Sequence, residues 1–193
     1  RLNLYLASME ERRKNPDRAE AYLWEIVEYV PPEQLDAQGL AETGLILQAQ
    51  GFDSARPYLE RLLRDFPARP PTGAAYYGLA RVALAEGDLP EARRQLDLFR
   101  SESPMHPLAG EATLLQAEVL TQSGQTDRAI EVLEDLLRLR EHRGRPHARA
   151  LLGIARAHEA AGDPRKAVAF YQRVYTAYRA YPELLEPAYM RSA

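Results

Sequence analysis

The side chains that could perform metal or acid–base chemistry are few and unfavourably spaced in this sequence. The four histidines are His106, His142, His147 and His158, and no two stand three or four residues apart, the helical spacing that brings two ligands to one metal ion. A zinc-peptidase helix would need a second histidine four residues after His158, where Gly162 stands. The chain has no cysteine, which excludes thiolate metal sites and cysteine nucleophiles. We therefore expect no metal and no cofactor.

Other catalytic patterns are also missing from the sequence. Acidic neighbours such as Glu10-Glu11 and Glu134-Asp135 are adjacent, so on a helix their carboxylates diverge instead of converging on a substrate. No glycine-rich phosphate loop follows a strand pattern, and no Gly-x-Ser-x-Gly nucleophile turn occurs. We expect a protein that is not an enzyme.

One charged cluster has the composition of an anion site. A basic stripe is typical of surfaces that bind phosphate groups, so a nucleic acid or another anion is an alternative partner. However, Glu141 interrupts the stripe, no aromatic residue lies within it, and acidic residues stand one or two helical turns upstream. Local ion pairing and solvation are therefore the favoured interpretation, and nucleic acid is not the expected partner. The cluster comprises Arg138, Arg140, Arg143, Arg145 and Arg149.

A repeated unit must position these residues. The pattern of residues 79–99, LARVALAEGDLPEARRQLDLF, returns at 154–174, with six of 21 residues identical, and more loosely at 116–136. In each copy an alanine is followed seven residues later by a glycine, and a second alanine stands five residues after the glycine. Fixed spacing that recurs in this way is typical of a stack of one supersecondary unit.

Each unit has the pattern of two helices joined by a turn. Apolar residues recur at three- and four-residue steps before the glycine, as in Leu79, Val82 and Ala83, which indicates a helix. The glycine can adopt the left-handed conformation that ends a helix, and Asp88 and Asp163 then stand at the N-cap of the next helix. The alanines allow two antiparallel helices to approach closely.

The repeat spacing predicts one continuous array over residues 1–193. The packing alanines of five hairpins fall at 19, 55, 92, 129 and 167, with steps of 36, 37, 37 and 38 residues. The hairpins occupy about 1–32, 33–70, 71–106, 107–145 and 146–181, and 182–193 begins a sixth unit. The small residues expected at packing and turn positions are Ala7, Ala19, Gly44, Gly51, Ala55, Ala80, Gly87, Ala92, Ala117, Gly124, Ala129, Ala155, Gly162 and Ala167.

The composition is that of an ordinary folded chain. Of the 193 residues, 46% are hydrophobic and 27% are charged, and the net charge of −3 provides no overall basic field that would attract nucleic acid. No apolar run approaches the roughly 20 residues that a membrane-spanning helix needs. The composition does not identify the compartment.

The repeated pattern resembles the tetratricopeptide repeat over nearly the whole chain. The repeats are longer than the usual length of about 34 residues, and proline-rich segments precede several first helices, which is similar to bacterial cell-envelope members of this family. The best copy matches the family pattern at Tyr76, Leu79, Ala80, Gly87, Asp88, Ala92, Leu96 and Pro104.

This resemblance implies an all-α, right-handed α-α superhelical solenoid that acts as a non-catalytic scaffold. A protein or peptide partner would lie along a concave face lined by the first helix of each hairpin. The family's clamp for chaperone tails is not expected, because its basic and amide positions hold Ala41, Leu45, Leu115 and Glu118. A regulatory repeat domain joined to a catalytic domain outside this sequence is a further alternative, and the oligomeric state stays open. The groove candidates are Tyr77, Arg81, Glu118, Gln122, Arg156 and Glu159.

Overall fold

A computed structural model describes residues 16–51, 54–67, 71–139 and 143–192 of the chain. Their regular secondary structure is entirely helical, so the all-α prediction is confirmed for these residues. A short 3₁₀ helix, Pro32–Gln34, lies between the first two α-helices. The α-helices are α1 (Pro16–Tyr29), α2 (Ala37–Ala49), α3 (Ala55–Asp65), α4 (Thr72–Ala85), α5 (Leu89–Glu102), α6 (Ala109–Gln122), α7 (Thr126–Arg138), α8 (Arg145–Ala160), α9 (Pro164–Ala177) and α10 (Pro182–Ser192).

The chain forms two compact units, Arg1–His106 (unit 1) and Pro107–Ala193 (unit 2). In unit 1, α2 packs on α3, α4 packs on α5, and α4 also contacts α2 and α3. The core of unit 1 is built from fully buried leucines of α2 and α3, including Leu40, Leu47, Leu59 and Leu62. Whether the five hairpins act as a single array stays a prediction.

Unit 2 repeats the same packing. Helix α6 pairs with α7 and α8 pairs with α9, while α8 also contacts α6, α7 and α10. One core cluster joins α6, α7 and α8 around Leu133 and Ile154, and a second joins α8, α9 and α10 around Tyr171 and Val174. Within unit 2, α6, α8 and α10 are the first helices of successive hairpins, and each contacts the next one along the chain.

In the four hairpins whose turns the structure describes, the turn ends a helix with a glycine in the left-handed region. Gly87 has φ +79°, its N–H donates to the Leu84 carbonyl, and the Asp88 N–H donates to the Ala83 carbonyl at 2.8 Å. This is the Schellman arrangement, which satisfies helix-end carbonyls that have no partner within the helix. Gly124 and Gly162 make the corresponding turns in unit 2, and Gly51 also has positive φ.

Two aspartates begin the helices that follow these turns. The Asp88 carboxylate accepts a hydrogen bond from the Glu91 N–H at 3.0 Å, and the Asp163 carboxylate accepts one from the Lys166 N–H at 3.2 Å. Each bond satisfies one of the free N–H groups at a helix start. The Glu91 side chain pairs with Arg94, and this guanidinium lowers the pKa of Glu91 to about 2.

Several of the small residues singled out in the sequence are buried in the described part of the chain. Ala7 lies outside the described residues, and Ala19 falls within α1. A Cβ atom added to Gly44 would lie 2.5 Å from Leu59 Cδ2, so α2 and α3 meet there without room for a side chain. Among the alanines predicted at packing positions, those that are at most 2% exposed are Ala55, Ala80, Ala92, Ala117, Ala129, Ala155 and Ala167.

Candidate partner-binding groove

Two first helices of unit 2 run side by side in the same direction. Glu111, near the start of α6, forms an ion pair with Arg149, near the start of α8. Glu118 and Arg156 stand seven residues further along each helix and line one shared pocket. Seven residues are almost two helical turns, so each helix presents both of its charged residues on the same face.

The pocket between these helices has a volume of about 270 Å³, and we call it the first-helix groove. Its apolar floor comes from four leucines: Leu114, Leu133, Leu152 and Leu184. The first three are buried, and Leu184 of α10 is half-buried. The remaining lining residues are Ala117, Glu118, Thr121 and Gln122 of α6 and Arg149, Gly153 and Arg156 of α8.

The charged side chains of the groove differ in how far they are neutralised. Arg149 is committed to Glu111, and both side chains are about one-third exposed. Glu118 and Arg156 are both exposed, and neither forms an ion pair in the described part of the chain. The groove thus presents one negative and one positive side chain on opposite walls above an apolar floor.

Three of the six predicted groove residues line this pocket, namely Glu118, Gln122 and Arg156. Glu159, the fourth candidate on the first helices of unit 2, instead joins three helices. The Tyr171 hydroxyl of α9 donates to Glu159 Oε2 at 2.8 Å, and Arg191 Nη1 of α10 lies 2.7 Å from the same oxygen. Burial, together with this hydrogen bond, raises the pKa of Tyr171 to about 12.

The remaining two candidates lie on α4 of unit 1. Tyr77 is only 9% exposed and therefore offers little surface to a partner. Arg81 is half-buried.

The arginines of the basic cluster are largely engaged by acidic side chains. Arg138 pairs with Asp135 at 3.0 Å within α7, and Arg145 Nε lies 3.1 Å from Glu183 of α10. Arg149 pairs with Glu111, as described above. Arg143 is exposed, and Arg140 lies outside the described residues. Three of the five arginines therefore pair with carboxylates, and whether the cluster binds an anion stays a prediction.

Comparison with known protein families agrees with the repeat pattern. One model described as tetratricopeptide repeat matches residues 108–180, and a second model with the same description matches residues 47–104. The two matched segments do not overlap and together cover more than half of the chain. The chain belongs to the tetratricopeptide repeat family. Its all-α fold is a helical-repeat solenoid of the kind that serves as a protein-interaction scaffold.

Solved structures show the same fold at low sequence identity. A thermophilic tetratricopeptide repeat protein of Thermus thermophilus is 18% identical, with a TM-score of 0.69, over 98% of this chain and 96% of that one. A tetratricopeptide repeat protein of Parabacteroides merdae is 17% identical, with a TM-score of 0.67, over 96% of this chain and 69% of that one. A search of curated proteins returned no match.

The described residues of the tetratricopeptide repeat protein form neither a metal-binding cluster nor a candidate membrane-spanning helix. Within the described ranges, no three side chains of metal-ligating type cluster closely enough to hold an ion. No helix that the structure describes is both long enough and apolar enough to cross a bilayer.

Sequence reasoning missed the partner of Arg149 and the leucine floor of the groove. Glu111 precedes Arg149 by 38 residues, and Glu118 precedes Arg156 by the same interval. This interval is close to the repeat length, so a comparison of equivalent positions in the tetratricopeptide repeats would have paired α6 with α8. The same comparison could not have shown that Glu111 and Arg149 form an ion pair while Glu118 and Arg156 form none in the described residues. This difference depends on the distance between the helices.

Proposed function

We propose that this tetratricopeptide repeat protein binds a peptide or protein segment in the first-helix groove of unit 2, without catalysing a reaction. The single observation that carries the proposal is a pocket between two first helices that combines an apolar floor with exposed polar walls. Its volume of about 270 Å³ lies just below the range of about 300–1,000 Å³ that is usual for small-molecule sites. A single inserted side chain of a longer segment suits this volume better than a complete small molecule.

The family and the solved neighbours support the coarser part of this proposal, a scaffold that contacts other proteins. The two neighbours described above come from bacteria, and we propose a bacterial source for this protein as well. The proposed location of the binding surface is supported by the buried leucines and the exposed polar side chains that line the groove. A partner on the first helices would gain apolar contacts at the floor and polar contacts at the walls, the composition that is common in peptide-binding surfaces.

The test fills the groove without changing its charge. Peptides are selected on the complete 193-residue chain from a random display library, and their affinities are measured by calorimetry. Thr121→Trp places a large ring in the pocket that Thr121 lines, and we expect it to weaken binding by about tenfold or more. Ser123→Trp is the matched control, because Ser123 lies outside the pocket.

The two variants are well matched in other respects. Both hydroxyls donate to the carbonyl four residues earlier, so both substitutions remove the same kind of hydrogen bond. Hydrogen exchange of the complex should show protection at α6 and α8. Equal affinities for the two variants, or protection confined to other helices, would move the binding surface away from this groove.

A further inference from the structure

The first helices of unit 2 carry the same pair of charges twice. Glu111 and Glu118 stand on α6, and Arg149 and Arg156 stand at the equivalent positions of α8. The first pair is closed by a direct ion pair across the groove. The second pair lines the pocket without such a contact in the described residues, so the groove is open at that end.

Other charged residues on the first helices of unit 2 also form ion pairs between helices. Arg145 of α8 pairs with Glu183 of α10, and Arg191 of α10 pairs with Glu159 of α8. Among the three charged residues that line the pocket, only Arg149 is neutralised by another side chain in the part of the chain that the structure describes. The other two, Glu118 and Arg156, face the space that a ligand would occupy.

A ligand with charges of one sign would gain little from this arrangement. An acidic segment would be attracted by Arg156 and repelled by Glu118, and a basic segment would meet the reverse situation. Only a segment that carries both signs, in the matching order, gains from both walls and leaves neither charge opposed. Between the two charges lies the leucine floor, which favours an apolar side chain.

We infer that the groove recognises an extended segment in which one apolar residue is flanked by a basic residue, placed against Glu118, and an acidic residue, placed against Arg156. The inference rests on the proposed function and adds the chemistry of the partner. It predicts that, for a segment bound in one main-chain direction, the order of the two charges, and not the net charge, determines binding.

The experiment exchanges the two groove charges in the complete chain. One variant combines Glu118→Arg with Arg156→Glu, which keeps the net charge, and both residues are exposed, so the fold should be unaffected. The control combines Arg145→Glu with Glu183→Arg, an exchange within an ion pair outside the pocket. Wild type, variant and control each select peptides from the same random display library, and circular dichroism checks the helix content of all three.

We expect wild type and control to enrich peptides with one order of basic, apolar and acidic residues, and the exchanged variant to enrich the opposite order. For a synthetic wild-type peptide, Arg156→Gln should weaken binding by about two- to fivefold, since exposed ion pairs contribute little, and the full exchange should weaken it further. Selection of the same order by all three proteins would overturn the inference, as would selection of neutral or single-sign peptides.

The outcomes also separate this inference from the proposed function. Peptides without the charge order that still protect α6 and α8 from hydrogen exchange would leave the proposed function standing and reject the inference. Peptides that lose no affinity to Thr121→Trp, or a library that yields no binder at all, would count against both.

Discussion

At the scale of single residues, two glycines allow helices of unit 1 to pack closely around one leucine. Leu59 of α3 is fully buried, and its side chain fills the space that a Cβ atom would need at Gly44 of α2 and at Gly78 of α4. The hypothetical Cβ atoms would lie 2.5 Å and 2.7 Å from the leucine methyl carbons. One leucine thus requires two glycines, each in a helix where glycine is otherwise unfavourable.

The first stability prediction uses this contact. Alanine in place of a helical glycine normally stabilises by roughly 0.5–1 kcal/mol, but Gly44→Ala should destabilise by about 1–3 kcal/mol because the new methyl group overlaps Leu59. The same change in a Leu59→Ala background should be neutral or stabilising, because the overlapping atoms are gone. Urea unfolding of the four proteins in this cycle gives the coupling energy. A Gly44→Ala effect that is the same in both backgrounds would mean that Leu59 is not its cause.

At the scale of secondary-structure elements, the helices that follow the glycine turns begin in two ways. Helices α5 and α9 begin at an aspartate whose carboxylate accepts a backbone hydrogen bond. Helix α7 begins after Gln125, which stands at the equivalent position but makes no capping bond with its side chain. Gln125 has φ −91° and ψ 53°, close to the −82° and 77° of Asp88, so the backbone there is already suited to a cap.

A substitution can supply the missing cap. Gln125→Asp should raise the free energy of unfolding by about 1 kcal/mol, because a carboxylate at this position can accept the Arg128 N–H and interacts favourably with the helix dipole. Gln125→Ala serves as the control, since both substitutions remove the present bond from Arg128 Nη1 to Gln125 Oε1 at 2.6 Å. The two variants are compared by thermal and urea unfolding. Equal stabilities would show that the turn, and not the cap, limits the start of α7.

At the scale of the whole molecule, each described helix packs mainly on helices that are near it in the chain. Unit 1 and unit 2 each contain their own buried clusters, and the contacts within each unit link consecutive helices or consecutive first helices. The free energy of unfolding of such a repeat protein is approximately a sum over the single repeats and the interfaces between neighbouring repeats. A substitution in one repeat should therefore alter the stability of that repeat and its neighbours more than that of distant repeats.

Hydrogen exchange can measure this locality. In the complete chain, Gly44→Ala should increase amide exchange in α2, α3 and α4 several-fold more than in α8 and α9, because Leu59 packs within the former group. Mass spectrometry of peptic fragments resolves the helices separately, and Gln125→Asp is the complementary test, with increased protection expected around α7. A uniform change in both units would instead show that the chain opens in a single cooperative step.

Much of the helical architecture could be predicted from residues that lie close together in the sequence. The glycine turn and its aspartate cap involve residues one to five positions apart, so Gly87, Asp88 and Asp163 could be assigned roles without knowledge of other helices. The buried alanines were recognisable because their spacing recurs with the repeat. The family resemblance depended on these same positions.

The sequence by itself therefore determined the helices, their turns and the repeat family, because each is specified by short-range backbone geometry and by a spacing that can be counted. The tertiary structure alone decided which charged side chains form ion pairs between helices and which do not. Arg149 and Arg156 follow acidic residues by the same 38 positions, yet of these two only Arg149 is closed by an ion pair among the described residues. Tyr77, a groove candidate by pattern, is buried. These differences depend on distances between separate helices, which no local rule specifies.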